Sequence, residues 1–305
     1  MNNALRKLIT VITAATLIFL CAISGFAYTF YVTEDGLLYR DVTREEVAIG
    51  GLYTQTESIV IPSKIDDRTV VMLDDYAMRD NTMLKSVDFS AVSEGFSIGE
   101  GAFLNCSSLE NVIVPNNVRY IYEDGFRNCT SLKTIDFQAK VSLIPMSFFS
   151  GCSALEEFSV PRTVNKIKSF AFAHCSNLVK VLIPENVTEI ENAAFYDSPN
   201  VIIYCYEGSY AQTYAEENSI PYIIIQDILL GDVDGIDGVN ISDATAVQSY
   251  LAELRTLEGI YLYAADANQD GDVDITDATA IQMKVADYEL PYPIGQYITK
   301  EIVSE

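Results

Sequence analysis

The residues whose types and spacing could do chemistry sit in two acidic loops 34 residues apart. The first runs Asp232-Val233-Asp234-Gly235-Ile236-Asp237-Gly238-Val239-Asn240-Ile241-Ser242-Asp243. The second runs Asp266-Ala267-Asn268-Gln269-Asp270-Gly271-Asp272-Val273-Asp274-Ile275-Thr276-Asp277. In the second, side-chain oxygens fall at positions 1, 3, 5, 9 and 12 of a twelve-residue loop: Asp266, Asn268, Asp270, Asp274 and Asp277. Gly271 at position 6 permits the sharp turn, and Asp272 would offer its carbonyl from position 7. A hard cation that takes six to eight oxygens fits this alternation, because a loop wrapped around the ion presents alternate residues to it. The expected cofactor is Ca2+ at two unequal sites. The first loop keeps Asp232, Asp234, Asn240 and Asp243 at positions 1, 3, 9 and 12. Its position 5 is Ile236, which has no side-chain oxygen, and Asp237 stands where the turn glycine belongs, with Gly238 displaced by one. The 266–277 loop is therefore expected to bind more strongly, and a degenerate, weakly occupied 232–243 loop is the competing reading.

Helices must position these loops. Each loop leads into a near-identical helix start, Ala-Thr-Ala followed by Val247-Gln248 or Ile281-Gln282. Asp rather than the Glu of an ordinary EF-hand at position 12, the tandem spacing and the loop-then-helix order resemble type I dockerins over about residues 228–295. The resemblance implies a small all-α calcium-binding module. Its partner would be a cohesin domain on a scaffold protein, as in the cellulosome, a polysaccharide-degradation complex. It also implies recognition residues at loop positions 10 and 11 and along the following helix: Ile241, Ser242, Val247 and Gln248, then Ile275, Thr276, Ile281 and Gln282. Packing of Ile241 and Ile275 between the two helices is the competing reading of those two.

The middle of the chain repeats every 23 residues. Phe103, Phe126, Phe149, Phe172 and Phe195 keep the period; Cys106, Cys129, Cys152 and Cys175 follow three behind, with Ser198 in the fifth slot. Leu109, Leu132, Leu155, Leu178 and Val201 come three residues later. Pro115, Pro161 and Pro184 share a register, as do Val118, Val141, Val164 and Val187, and then Ile121, Ile144, Ile167 and Ile190. An earlier copy around Met78 is offset by two residues. The pattern A-F-x-x-C-x-x-L-x-x-[IV]-x-[IV]-P-x-x-V-x-x-I resembles the BspA-like branch of the leucine-rich repeats over roughly 58–205. The expected fold class is an α/β repeat solenoid of 23-residue repeats, right-handed, with one short parallel strand per repeat, followed by the dockerin-like module. Stacking buries an apolar face that a single repeat could not cover.

Flanking segments complete the plan. Residues 28–57 read as an N-terminal cap with a hairpin at Asp35-Gly36. Residues 206–226 read as a C-terminal cap, with a short helix over 208–215 covering the last repeat's edge. Residues 296–305 read as a tail. Residues 1–27 read as a signal peptide: Arg6 and Lys7 precede an uncharged apolar run, and Gly25-Phe26-Ala27 ends it with small residues. A retained membrane anchor is the alternative for that run. No other segment could span a bilayer, so no membrane contact is expected after cleavage.

Composition narrows the function. The net charge of −24 opposes nucleic-acid and anionic-membrane binding. From residue 228 onward there are 15 acidic and 3 basic residues, a cluster that a cation would help to fold. The ladder cysteines read as small packing residues, and five mature cysteines in regular spacing do not read as a disulfide framework. Asn105, Asn128, Asn186 and Asn240 open N-x-S/T sequons, but the repeat and the loop account for them. No nucleophile–base pair is visible, and the single histidine, His174, lies in the repeat ladder, so an enzyme is not expected. On the strands, Leu109, Val112 and Val114 should face inward, with Asn111 and Ile113 outward. The equivalent outward slots elsewhere (Ser86 and Asp88, Thr134 and Asp136, Glu157 and Ser159, Lys180 and Leu182) make a small, mixed surface without an aromatic stripe. The expected function is a secreted, non-catalytic interaction protein on a cell-surface complex, its repeat face taking a protein ligand. A carbohydrate-binding or adhesin module with a glycan ligand is the alternative.

Overall fold

The computed structural model describes residues 29–301. The expected signal peptide and the last four residues lie outside the described residues. The chain divides into two compact units, one ending at Tyr222 and the other beginning at Ile223. The division falls a few residues before the 226/228 boundary expected from sequence.

The first unit is a β-solenoid of about 8 turns. Each full repeat contributes two strands where one was expected; the second is short and buries its last residue, as Ile121 or Ile144. Asn111–Val114 and Val118–Ile121 belong to one turn, and Thr134–Phe137 and Leu143–Ile144 to the next. Leu109, Val112 and Val114 are buried and Ile113 is 59% exposed, so the expected facing holds. The rest of each repeat is a run of turns without an α-helix. Two residues four apart in this run take left-handed backbone on either side of the ladder phenylalanine, as at Gly101 and Asn105, or Asp124 and Asn128. Gly, Asn and Asp hold that conformation at least cost. This explains two of the sequons: Asn128 donates its amide to Asn105 Oδ1 at 2.9 Å, and Asn105 does the same to Asp80 at 2.7 Å.

The phenylalanines stack along the core, with ring centroids 5.1 Å apart for Phe103–Phe126 and 5.3 Å for Phe172–Phe195. The cysteines are buried free thiols, but packing is only half of their role. Cys106, Cys129, Cys152 and Cys175 donate to the carbonyls of Met78, Phe103, Phe126 and Phe149 at 3.0–3.2 Å. Burial pushes the Cys106 and Cys175 thiols up to about 12.

Both strand ladders are interrupted where the segment 143–159 stacks on the segment 118–137. Parallel pairing runs through Ser58–Val60, Ser86–Asp88, Asn111–Val114 and Thr134–Phe137, and resumes only with Glu157–Ser159. The second ladder stops at Val118–Ile121 and resumes with Leu143–Ile144. Phe148 marks this junction. Its slot is Ala102, Gly125, Ala171 or Ala194 in the other repeats. Its buried ring lies where a Cβ on Gly125 would come within 2.3 Å of it, and it sits edge-on to Phe149 at 4.8 Å and Phe126 at 5.5 Å. The two strand ladders break off where this extra ring enters the core. The turn ladder still crosses, through Phe126 N–H to Phe148 O at 2.9 Å and Asn128 N–H to Ser150 O at 2.8 Å. A groove of about 460 Å³ opens there, with Thr134, Asp136, Glu157 and Ser159 at its rim and Phe137 and Phe158 beneath.

A hairpin and a helix flank the repeats. Tyr31–Val32 pairs antiparallel with Leu37–Asp41 across the Asp35-Gly36 turn. At the other end, helix α1 (Tyr210–Glu217) is capped by Ser209, which accepts from Gln212 N–H, and buries Tyr214 with its ring 6.2 Å from Phe195.

The second unit holds helices α2 (Ile241–Leu251), α3 (Ile260–Ala265) and α4 (Ile275–Val285). It is not purely helical. Tyr297–Glu301, expected as part of a tail, pairs antiparallel with Ile225–Leu229 of the strand Tyr222–Leu229, and Thr299 donates to Asp227 at 2.7 Å. The core gathers Leu230, Val233, Ala244, Val247, Leu257, Ala265, Ala278, Ile281 and Ile294.

Candidate metal centre and docking surface

In both loops the local structure follows from the last carboxylate. Asn240 is the N-cap of α2 and Asp243 its third residue, and together they form a capping box. Asp274 and Asp277 do the same for α4. The sequence carries this signal as Asn-x-x-Asp and Asp-x-x-Asp before an apolar helix, and a reading of positions 9 and 12 as ligands alone misses it. Asp243 is fully buried. One oxygen accepts from Val233 N–H at 2.7 Å and Asp234 N–H at 3.0 Å, and the other from Asn240 N–H at 2.8 Å. Asp277, also buried, accepts from Asn268 N–H at 3.1 Å and Asp274 N–H at 2.8 Å. Burial raises both carboxyls above the usual range, partly offset by these bonds; neighbouring acids raise them further, Asp234 for Asp243 and Asp266 and Asp270 for Asp277. A bound cation would remove that cost.

Carboxylate oxygens of Asp232, Asp234 and Asp243 lie within 4.8 Å of one another. Three convergent carboxylates, one of them buried, fit a hard divalent cation. This group lies in the first loop, the one ranked weaker on sequence, and no equivalent trio of acids gathers in the second among the described residues. There Asn268 occupies position 3, and Asp270 is engaged by its own loop, accepting from Asp272 N–H at 3.0 Å and from the Asn268 amide at 2.9 Å. Asp266 accepts from Asp270 and Gly271 N–H at 3.1 and 3.2 Å, so this loop too wraps around its first residue. Asp237 stands outside the trio. It is exposed, and it and Gly238 carry the left-handed bend on successive residues, with Ile236 turned to solvent. Asn240 and Asp274 direct an oxygen to Ser242 and Thr276 N–H as caps, and Asp272 is exposed.

The expected recognition residues divide in two. Ile241 and Ile275 are each 56% exposed, and Ser242, Thr276, Gln248 and Gln282 are exposed with them. The reading of the two isoleucines as packing between the helices fails. Val247 and Ile281 are fully buried in the core and offer no surface to a partner. The helical period explains the difference: α2 and α4 bury the face carrying Ala244 and Val247, or Ala278 and Ile281, and expose the face of the loop-end isoleucine. No helix among the described residues is long and apolar enough to cross a membrane.

Residues 71–202 match the BspA type leucine rich repeat region in 6 copies, and residues 230–286 match the dockerin type I domain. No curated protein matches the chain. Among solved structures, the chain is similar to a leucine rich cell surface protein from Faecalibacterium prausnitzii A2-165, at 23% identity and a TM-score of 0.42, covering 61% of this chain and 41% of that one. It is similar to the T. pallidum leucine rich repeat protein at 24% identity and a TM-score of 0.45, covering 64% of this chain and 94% of that one. A leucine-rich repeat protein from Eubacterium ventriosum shows 23% identity and a TM-score of 0.45, covering 55% and 49% of the respective chains. This chain thus spans under half the length of the first and third of these proteins.

Proposed function

The chain belongs to the BspA-type leucine-rich-repeat proteins and joins that region to a dockerin type I domain, and from this premise we propose that it is a secreted, non-catalytic interaction protein of an extracellular complex. The dockerin unit docks to a cohesin domain on a scaffold protein, and the solenoid presents its mixed strand face to a protein ligand. Calcium at both loops holds the dockerin fold. Asp232, Asp234 and Asp243 would hold one ion and Asp266, Asn268, Asp270 and Asp277 the other, each bringing a buried carboxylate's charge to balance.

The observation that carries the reading is the pair of exposed isoleucines, Ile241 and Ile275, one beside each acidic loop and each flanked by a hydroxyl, Ser242 or Thr276. Apolar side chains at that exposure with polar neighbours suit a partner surface. The test is capture of the full chain by immobilised cohesins from the source organism, in calcium and in chelator. Capture in calcium and release in chelator is the expected result; failure of every cohesin to capture it in calcium refutes the reading.

A further inference from the structure

Helix α3 brings one side chain onto the first acidic loop. Tyr261 lies three residues before the buried Ala264, on the same helix face. The Ala264 carbonyl accepts from the N–H of Gly231, next to Asp232, at 3.0 Å, which ties this face to the loop. The Tyr261 ring then lies against Gly235: a Cβ there would come within 2.8 Å of its Cε1 and 3.1 Å of its hydroxyl oxygen. Gly235 has φ 71, but the backbone alone does not demand a glycine at this position. The second loop fills the same position with Gln269 at φ 60, its side chain exposed. What excludes a side chain from the first loop is the ring.

Gly235 is also where the first loop closes on itself. Asp232 accepts from Gly235 N–H at 2.9 Å, and Asp234 from Ile236 N–H at 2.9 Å. In the second loop Asp266 reaches further, to Asp270 and Gly271 N–H, and Asp270 adds an oxygen at position 5. The first loop has Ile236 there, 62% exposed. Two of its three convergent carboxylates, Asp232 and Asp234, therefore depend on where the Gly235 peptide sits. Asp232, Gly235 and Tyr261 also border one cavity of about 220 Å³, so the loop has space to shift into if the ring is lost. We propose that Tyr261 is a positioning residue for the first loop. Its ring holds the Gly235 peptide where Asp232 and Asp234 meet Asp243, and so sets the calcium affinity of a loop without a side-chain oxygen at position 5. This role rests on calcium at both loops, as proposed above, and Tyr261 is not itself a ligand in it.

Calcium titration of the full chain by calorimetry tests this, with Asp232→Ala and Asp266→Ala assigning the two binding steps to their loops. Tyr261→Ala should weaken the first loop's step by about 10- to 100-fold and leave the second loop's unchanged. Tyr261→Phe keeps the ring and should keep both. Gly235→Asn should weaken the first step comparably in the parent chain, because Asn accepts the left-handed backbone and only its Cβ meets the ring. In the Tyr261→Ala background the same change should add little, since the clash leaves with the ring. Equal weakening of both loops by Tyr261→Ala, as a general loss of packing would give, overturns the proposal, and so does an unchanged first step. A chain that takes up no calcium at either loop overturns the calcium reading itself, and this role with it.

Discussion

Ser198 occupies the slot of Cys175 one turn on and repeats its bond: Cys175 donates to the Phe149 carbonyl at 3.2 Å, Ser198 to the Phe172 carbonyl at 2.7 Å. The slot therefore demands a small donor, and sulfur or oxygen serves. Cys152→Ala should cost about 0.5–1.5 kcal/mol for the lost hydrogen bond, because the Phe126 carbonyl loses its thiol donor and keeps only Cys129 N–H, and Cys152→Ser should cost less. Urea midpoints of the two variants check the order; an alanine variant as stable as the serine one would refute the donor role.

The same burial controls thiol chemistry. Cys205 is pushed up to about 11 and Cys106 and Cys175 to about 12, all by desolvation. A thiol whose folded pKa exceeds its unfolded value of about 8.5 stabilises the fold fully below that value and loses this contribution as pH rises through the folded pKa. Alkylation by iodoacetamide at pH 8 should accordingly be slow in the native protein and complete in urea, and the solenoid should lose stability between about pH 9 and 12. Mass spectrometry and alkaline melting curves read both.

Leu155 is fully buried in the leucine ladder. Leu155→Asp places an unpaired charge there and should unfold the solenoid, a loss well above about 3 kcal/mol. Circular dichroism of that variant, set against an exposed Ile113→Asp control that should melt like the parent, checks the register.

Asp243→Ala and Asp277→Ala should damage the dockerin unit about equally, since Asp243 accepts three backbone N–H bonds and Asp277 two. The 266–277 loop was expected from sequence to bind calcium more strongly. Both carboxyls are raised by burial, so without metal they favour folding below about pH 4 and lose that contribution as pH climbs through their raised values. In chelator the unit should therefore gain stability from these two groups as pH falls through their raised values. Saturating calcium should reverse the trend, adding about 2.7 kcal/mol at a hundredfold excess over Kd. Melting curves taken from neutral pH down to about pH 4, with calcium and with chelator, decide it.

Ile241→Asp combined with Ile275→Asp should abolish cohesin capture while leaving the calcium-induced fold intact, as both side chains lie at the surface. Val247→Asp or Ile281→Asp should instead prevent folding. Capture in calcium scored beside circular dichroism separates the two outcomes.

Much of this was legible because both units are repetitive. The 23-residue register placed Phe, Cys and Leu in the core, and the alternation 1, 3, 5 placed the acids in loops. What stayed hidden depends on how side chains meet across turns. Val247 and Gln248 are neighbours in sequence, yet only the packing of α2 in its core shows which of them is buried. Asn240 and Asp274 are oxygen-bearing residues with two employers, helix cap and metal, and spacing alone cannot rank them. The second strand of each repeat and the pairing of Tyr297–Glu301 are short segments whose partners lie far off in sequence, so no local pattern announces them.

The Phe148 wedge has a consequence for cooperativity. Repeat proteins open by nearest-neighbour coupling, and coupling is weakest where the fewest rungs join adjacent turns. The interruption of both ladders between residues 118–137 and 143–159 therefore makes this seam the place where the solenoid should open first, against the turn bonds and stacked rings that still cross it. Hydrogen exchange should then show amides on the two sides opening at different free energies.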